Sequence, residues 1–561
     1  MNKKIYVFCF ALVVILAVFL RFYQLGAIPS GLTNDEADIG YDAYSILKTG
    51  KDQWGEKFPI INFKGFGDYR PSFYTYIIVP FIKILDLDAL SVRFPSAIFG
   101  IASIVAIYFC ARKLFGSGIG FLSALILSIS PWSIGLSRVG IESNAAIFFL
   151  LLSLLFLLRF EKSIRNLYVG IFFLALTVYT YSAYLLFSFL VLAIFLSIYL
   201  KYLSKIKLII ALLLFIIFLF PIFSKNIPST TRFSQVGLIN NVESIGLIQE
   251  LNASRGACLK QFSNVVCKIF GNKITLFTEE FVKNYLSHFS FKFLYFEGAE
   301  NQYSILYKRG LGYPFEALFL IFGIYYLLKH GRKENLFLLS LLLLSPIPDS
   351  LTGEGNYSRA SIMMPFLIIT EGAGFFYIIK SLIIFKKEFI GRCAITAIVV
   401  LIFCSTISFY IRYFTYFKDN YSSYSEYGYR ELMKDLYKKK DKYDAIYVSR
   451  YLNDTKQYIY YLFYNKYDPQ NFQSKNKVEY SQDEDRWINV SRIDNIYFVK
   501  SLSNIDYNNE LLSKKVLLVA HPSEFPANIK VEGEIKNKVG LVRFKKVDLA
   551  SLRGHTELKK Q

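Results

Sequence analysis

The stretch Thr33-Asn34-Asp35-Glu36-Ala37-Asp38-Ile39-Gly40-Tyr41 follows the first apolar run and places three carboxylates within four positions. Its plain structural interpretation is a helix N-terminus, in which Asn34 or Asp35 caps and the acids complement the helix dipole. An acid pair beside a membrane helix is also where a general base can meet a lipid-borne substrate. The stretch therefore predicts a helix start at a membrane surface with possible catalytic use.

The composition is that of a polytopic membrane protein. The 561 residues are 54% hydrophobic and 18% aromatic, with 54 Phe and 42 Tyr, which a soluble chain rarely carries. The formal charge of +21 falls largely in short loops and in the C-terminal region, which favours membrane topology over nucleic-acid binding. We predict about eleven spans, on apolar runs near 5–23, 92–111, 117–133, 144–158, 167–183, 184–200, 207–224, 312–328, 335–348, 360–379 and 391–411.

The basic loops orient these spans. With eleven spans every basic loop falls on the cytoplasmic side, and the runs 167–183 and 184–200 must turn near Thr180-Tyr181-Ser182. The outer side then receives residues 24–91, 225–311, 349–359 and everything after about 412. The first run is expected to remain as an anchor, because no small-x-small cleavage site follows it. Residues 71–86, short and interrupted by Pro80, are predicted to lie in the outer interface.

The chain divides at about residue 411. A transmembrane domain is predicted for 1–411, and a soluble extracytoplasmic α/β domain for 412–561, where Tyr, Lys, Asp, Asn and Ser dominate. The patterns in the second domain predict an amphipathic helix at 430–440, strands at Tyr443–Arg450, Asn495–Lys500, Lys515–His521 and Val539–Lys546, and a helix at Thr455–Tyr464.

Four polar clusters fall on the outer face under this topology: Asp35-Glu36, Gly67 to Pro71, Ser137 to Asn144, and Gly353 to Arg359. Their chemistry fits glycosyl transfer from a polyprenyl-phosphate sugar. Arginine binds phosphate and stabilises the charge that grows on it as the sugar leaves, and a carboxylate takes the proton of the acceptor hydroxyl. Such a single displacement inverts the anomeric centre. Tyr41 and Tyr69 could stack on sugars or belong to an interfacial aromatic belt.

These motifs resemble bacterial family 39 glycosyltransferases. The resemblance rests on Asp35-Glu36 after the first span, Tyr-Arg-Pro at 69–71, Val-Arg at 92–93, and Ser137-Arg138 followed by Glu142. It implies the GT-C fold and a relation to protein O-mannosyltransferases and the lipid A aminoarabinose transferase.

The resemblance also implies residue roles. Asp35 matches the catalytic base, Glu36 its neighbour, and Glu142 a further acidic position of the family. Arg70 falls where the aminoarabinose transferase has a functional lysine, and Arg359 where the family often binds the donor phosphate. Arg138 is a weaker phosphate candidate. The sequence lacks the His-Pro-Pro of many mannosyltransferases, which argues against a protein-mannosylating activity, and the expected acceptor is a hydroxyl of a glycan, lipid or protein.

Rival classes are a transporter or flippase of lipid-linked glycans, a glycan polymerase, and a non-enzymatic anchor. A transporter should carry mid-bilayer charges and repeated halves, whereas the sequence has few charges within the spans and no internal repeat. A polymerase usually lacks an acid pair after the first span, and an anchor would not need eleven spans. No further ligands converge with Asp35 and Glu36, so neither an obligate metal nor another cofactor is expected.

Cys258 and Cys267 are predicted to form a disulfide. Both lie in a polar stretch of the outer loop 225–311, where oxidising conditions allow the bond to persist. Eight residues intervene, enough for a turn to bring the two cysteines within bonding range. The alternative is a pair of free thiols packed against aromatic residues.

Overall fold

The computed structural model describes residues 3–223, 245–299, 308–385, 387–423, 425–450, 456–474, 478–482 and 487–552. Most of these residues are helical. The α-helices span Lys3–Phe22, Asn34–Thr49, Phe73–Leu85, Ala89–Phe115, Ser117–Ile129, Pro131–Ser137, Ser143–Leu157, Ile164–Thr180, Tyr184–Tyr199, Lys205–Leu219, Ile245–Cys258, Asn264–Phe270, Lys273–Ser287, Glu316–His330, Lys333–Leu344, Ile347–Ser350, Met364–Ile383, Glu388–Arg412, Lys418–Asn420, Tyr429–Lys439, Tyr458–Tyr464, Pro469–Gln473 and Asn509–Ser513.

The strands form two sheets. The strands are β1 (Asn62–Lys64), β2 (Tyr69–Pro71), β3 (Ala445–Ser449), β4 (Val478–Gln482), β5 (Ile488–Ile493), β6 (Ile496–Val499), β7 (Val516–Ala520), β8 (Gly533–Lys536) and β9 (Val542–Asp548). Strands β1 and β2 form an antiparallel hairpin. The other seven make one sheet in the order β4-β5-β6-β3-β7-β9-β8, with β3 parallel to both β6 and β7.

Each predicted apolar run coincides with a helix, but the count of eleven spans is not confirmed. Within the described ranges, six helices are long and apolar enough to cross a membrane, or seven if the pair Ser117–Ile129 and Pro131–Ser137, bent by 61°, is one span. Helices such as Ser143–Leu157, with 15 residues, are shorter than the ~20 residues that a full crossing takes. The predicted turn is confirmed, because one helix ends at Thr180 and the next begins at Tyr184.

Two buried arginines satisfy the backbone where helices end or bend. Arg21, at the end of the first helix, donates to the carbonyls of Leu127 and Ser128 at 3.2 and 3.1 Å, at the bend of the broken pair. Arg138, after the short helix of that pair, donates to the last carbonyls of the first helix, Leu20 at 2.9 Å and Arg21 at 3.2 Å. Helix ends leave carbonyls without intrahelical partners, and a guanidinium supplies several donors at once.

The C-terminal part of the chain packs directly on the loop that follows the first helix. Tyr41 Oη donates to the Tyr467 carbonyl at 3.0 Å, and the Ile488 amide donates to the Phe66 carbonyl at 2.7 Å. Residues of both segments share one apolar core. The helix that contains Asn34 is therefore covered by this domain.

The sequence predicted part of this domain. Its four predicted strands are present, as β3, β6, β7 and β9. Strands β4, β5 and β8 were missed; β4, for example, is exposed at all but its first residue, so it carries little apolar pattern. The helix predicted at Thr455–Tyr464 is observed as Tyr458–Tyr464. Its predicted first residue, Thr455, lies outside the described residues.

Candidate active site

The acidic helix, Asn34–Thr49, begins with a capping box rather than with the predicted cap at Asn34 or Asp35. Thr33 Oγ1 accepts from the Glu36 amide at 3.2 Å, and Glu36 Oε2 accepts from the Thr33 amide at 3.0 Å. The Thr-x-x-Glu spacing satisfies two amides reciprocally, which explains why Thr33 takes the capping position.

Glu36 is fully buried and joins three segments. Besides the Thr33 amide it accepts from Arg93 Nε at 2.7 Å and from the Gly140 amide at 2.9 Å. Its carboxylate is thus surrounded by donors from the next long helix and from the turn near Arg138. Glu36 fixes the start of the acidic helix, and with it the position of its neighbour Asp35.

Asp35, by contrast, is exposed. It lines a polar cleft of about 380 Å³ between the acidic helix and the C-terminal domain. Lys456 and Trp487 of that domain line the same cleft. Two other polar atoms of this cleft, Asn34 Oδ1 and Ser425 Oγ, are buried without a hydrogen-bond partner in the described part of the chain. The cleft therefore offers polar groups and an aromatic ring around an accessible carboxylate.

Arg70 lies beneath the acidic helix instead of facing an open cleft. It is buried and forms ion pairs with Asp38 and with Asp42, the latter at 2.8 Å. Burial raises the pKa of both aspartates to about 7, and the Arg70 charge opposes that rise. The three side chains anchor strand β2 to the acidic helix.

The side chains on either side of Arg70 in strand β2 point away from the acidic helix. Successive side chains of a strand point to opposite faces, and Tyr69 and Pro71 line a second, largely apolar groove of about 300 Å³. Tyr181, at the break between two helices, also lines this groove. So do the polar side chains of Asn62 and Arg359. An apolar channel with one guanidinium suits a lipid phosphate.

Arg359 is positioned by a buried carboxylate that the sequence analysis missed. Its Nε donates to Asp349 Oδ1 at 2.8 Å, and the side chain is 23% exposed. Asp349 Oδ2 also contacts His288 Nε2 at 3.0 Å. A lone Asp and a lone His separated by 61 positions carry no local signal, so only the fold could bring them together.

Three other predicted site residues have mainly structural contacts. Arg138 is fully buried among backbone carbonyls, so a contact with a donor phosphate has no support in this geometry. Tyr41 is buried against the C-terminal domain rather than lining either opening. Glu142 is mostly buried and interacts electrostatically with Arg70.

Cys258 and Cys267 are joined by a disulfide, with their Cα atoms 5.8 Å apart. The bond links the helices Ile245–Cys258 and Asn264–Phe270. The next helix, Lys273–Ser287, leads directly to His288. Through this segment the disulfide region connects to the carboxylate that contacts Arg359.

A family model described as dolichyl-phosphate-mannose-protein mannosyltransferase matches residues 69–224. Among solved structures, ArnT from Cupriavidus metallidurans bound to undecaprenyl phosphate aligns with a TM-score of 0.52 at 10% identity, over 98% of both chains. Its apo form aligns with a TM-score of 0.53 at 11% identity, again over 98% of both chains. No curated protein sequence gives a significant match.

The archaeal oligosaccharyltransferase AglB from Archaeoglobus fulgidus, in complex with an inhibitory peptide and a dolichol-phosphate, aligns with a TM-score of 0.51 at 13% identity. The match covers 82% of this chain and 64% of AglB, so the chain spans less than two thirds of that protein's length. The shared fold and the family-model match confirm the predicted resemblance. The chain is a multi-pass membrane protein with the fold of these structures, and part of it is similar to the mannosyltransferase family model.

Proposed function

We propose that the protein is an inverting glycosyltransferase that moves a sugar from a polyprenyl-phosphate donor to a hydroxyl acceptor at the outer face of the cytoplasmic membrane. The observation that carries the proposal is the pairing of two openings on a GT-C fold. One is apolar with a guanidinium at its end, and the other is polar around an accessible aspartate. Two of the solved structures with this fold are complexes with a polyprenyl phosphate.

The apolar groove is the proposed donor site. Polyprenyl chains need an apolar surface, supplied here by residues such as Val178, Leu185 and Ile222. Arg359 lies in the same groove and would bind the phosphate, where its fork suits two phosphate oxygens. It would also stabilise the charge that the phosphate gains when the sugar departs. Tyr69 would lie beside the sugar-phosphate.

Asp35 is the proposed general base. It is the exposed aspartate of the polar cleft, and the neighbouring Glu36 is buried and paired with Arg93. A carboxylate within hydrogen-bond reach of the acceptor hydroxyl takes its proton during attack and contributes typically 10²–10⁴-fold in rate. Glu36 would act indirectly, by fixing the first turn on which Asp35 sits.

The C-terminal domain is the proposed partner in acceptor binding. Lys456 and Trp487 line the cleft that contains Asp35, and Lys456 Nζ lies 5.8 Å from the centre of the Trp487 ring. Aromatic rings provide faces on which sugars can pack, and a lysine attracts anionic groups. The basic-loop topology puts this domain outside the cytoplasm. No cofactor is included in the proposal.

A donor panel tests the proposal. Purified full-length protein in lipid nanodiscs is incubated with polyprenyl-phosphate hexoses and pentoses and with membrane glycan or lipid acceptors, without a nucleotide. We expect one donor class to give sugar transfer and free polyprenyl phosphate. Transfer from nucleotide sugars instead, or no consumption of any lipid-phosphate sugar with any acceptor, would contradict the proposal.

A further inference from the structure

Three side chains, Arg359, Asp349 and His288, form a hydrogen-bonded series. Asp349, fully buried on the short helix Ile347–Ser350, accepts from Arg359 Nε at 2.8 Å and from the Asn356 amide at 2.7 Å. His288, also fully buried, places Nε2 3.0 Å from the same carboxylate. The series therefore runs from the loop after Lys273–Ser287 to the guanidinium in the donor groove.

His288 links Asp349 to the helix Lys273–Ser287. Its Nδ1 lies 2.7 Å from the carbonyl of Asn284, which belongs to that helix, and its Nε2 lies 3.0 Å from Asp349 Oδ2. Both oxygens of Asp349 are therefore engaged, one by Arg359 Nε and the other by His288 and the Asn356 amide, and the carboxylate is held in one orientation.

This arrangement leaves part of Arg359 for a ligand. Only the Nε edge is bonded to Asp349, and the two terminal nitrogens make no hydrogen bond to the described residues. His288 holds the carboxylate to which Arg359 is bonded, so it acts on the guanidinium through Asp349.

We propose that Asp349 and His288 are positioning residues for the donor-phosphate site, where Asp349 fixes the orientation of the Arg359 guanidinium and His288 fixes Asp349. The proposal deepens the proposed function and rests on the apolar groove being the donor site. It also gives the disulfide region a role, because the segment that carries His288 follows the Cys258–Cys267 hairpin. Neither residue is required to touch the sugar.

Phosphate preference tests this proposal independently of sugar transfer. The dissociation constants of undecaprenyl phosphate and of undecaprenol are measured on the full-length protein in nanodiscs, and their ratio gives the phosphate preference. We expect Arg359→Ala to remove most of the preference, and Asp349→Asn and His288→Gln each to reduce it about tenfold, the usual worth of a charged hydrogen bond. Undecaprenol binding should stay at the wild-type level, which shows that the groove is intact.

A matched histidine serves as the control. His330 makes the same contact with the carbonyl four residues earlier, to Tyr326 at 2.8 Å, but it is exposed and does not line the donor groove. His330→Gln should keep the wild-type preference. The double variant Asp349→Asn with Arg359→Ala should lose no more than Arg359→Ala alone, because the two residues act as a unit.

Two outcomes would overturn the positioning roles: an unchanged phosphate preference in Asp349→Asn and His288→Gln, or losses that add in the double variant. A protein that shows the expected preferences and yet transfers no sugar would instead overturn the proposed function alone. Conversely, sugar transfer with an unchanged preference in these variants would reject the positioning roles and leave the enzyme assignment in place.

Discussion

At the residue scale, the three arginines that the sequence suggested as ligands of the donor phosphate have different environments. Arg70 is neutralised by two buried aspartates, and Arg138 is surrounded by backbone carbonyls. Arg359 has one carboxylate on one edge and faces a groove with the other. The local sequence around an arginine therefore does not show whether it binds phosphate or has a structural role. That role depends on partners that are distant along the chain.

Arg70→Ala should destabilise the protein. Removing one partner of a buried ion pair leaves uncompensated buried charge, which costs about 3–5 kcal/mol, here on Asp38 and Asp42. Thermal unfolding followed by intrinsic fluorescence in detergent measures the change. Arg430→Ala is the control, since its contact with Asp88 is 3.6 Å long and half-exposed and should be worth less than about 1 kcal/mol. Equal unfolding temperatures for the two variants would contradict this account of Arg70.

The Asp38 and Asp42 pair also predicts a pH dependence of stability. Their pKa values are raised to about 7 by burial, so between the ordinary aspartate range and about pH 7 the folded state binds more protons than the unfolded state. Stability from this pair is therefore present at low pH and lost as the pH rises through 7. We expect Asp42→Asn to flatten the decline of unfolding temperature between pH 5 and pH 8. A decline as steep as that of the wild type would reject the assignment.

At the element scale, helix positions were largely predictable and helix ends were not. Apolar runs and basic loops located every predicted span on a helix, because the bilayer requires long apolar segments. The bend of 61° after Ile129 was not predicted, since its freed carbonyls are satisfied by Arg21 from another helix. The Thr-x-x-Glu spacing predicts a cap at Thr33. The cap was instead assigned to Asn34 or Asp35, because these side chains are also common capping residues.

The Cys258–Cys267 disulfide should be found by mass spectrometry of non-reduced peptides. Without prior reduction, alkylation of the denatured protein should modify the free thiols Cys393 and Cys404 and leave the pair unmodified. Replacing both bonded cysteines by serine should cost roughly 2–3 kcal/mol in the chain-entropy model. Alkylation of Cys258 and Cys267 in the unreduced protein would show that the bond is absent.

At the scale of the whole molecule, the two predicted parts of the chain form one continuous structure around the acidic helix. Loop residues of the C-terminal part, such as Lys456 and Trp487, line the polar cleft, and Tyr460 Oη donates to the Leu32 carbonyl at 3.1 Å just before the acidic helix. Composition predicted a separate soluble part, but not that its residues complete the cleft around Asp35. That result depends on packing between segments more than 400 positions apart, such as Leu32 and Tyr460, separated by 428.

The topology predicts that the C-terminal domain is reachable from outside the cell. Cysteine introduced at position 423, in a background lacking the free cysteines, should react with a membrane-impermeant maleimide in intact cells. Cysteine at Ser163, in a basic loop assigned to the cytoplasm, should react only after lysis. The opposite pattern would reverse the orientation and place the proposed site on the cytoplasmic side.

Lys456 and Trp487 should affect the acceptor and not the donor. Substituting either by alanine removes a wall of the cleft that contains Asp35, so we expect a roughly tenfold higher KM for the acceptor with the donor KM unchanged. Steady-state kinetics with each substrate varied in turn measures both values. Equal changes in the two KM values would argue against a dedicated acceptor cleft.

The most direct test of the central claim compares sugar transfer by the wild-type protein and by Asp35→Asn under single-turnover conditions. The donor is the polyprenyl-phosphate sugar that the panel identifies, and undecaprenyl phosphate binding is measured in parallel. We predict transfer with inversion at the anomeric carbon by the wild type. In Asp35→Asn we predict a rate lower by roughly two to four orders of magnitude and unchanged lipid-phosphate binding. Near wild-type transfer by the variant, or a product with retained anomeric configuration, would contradict the account.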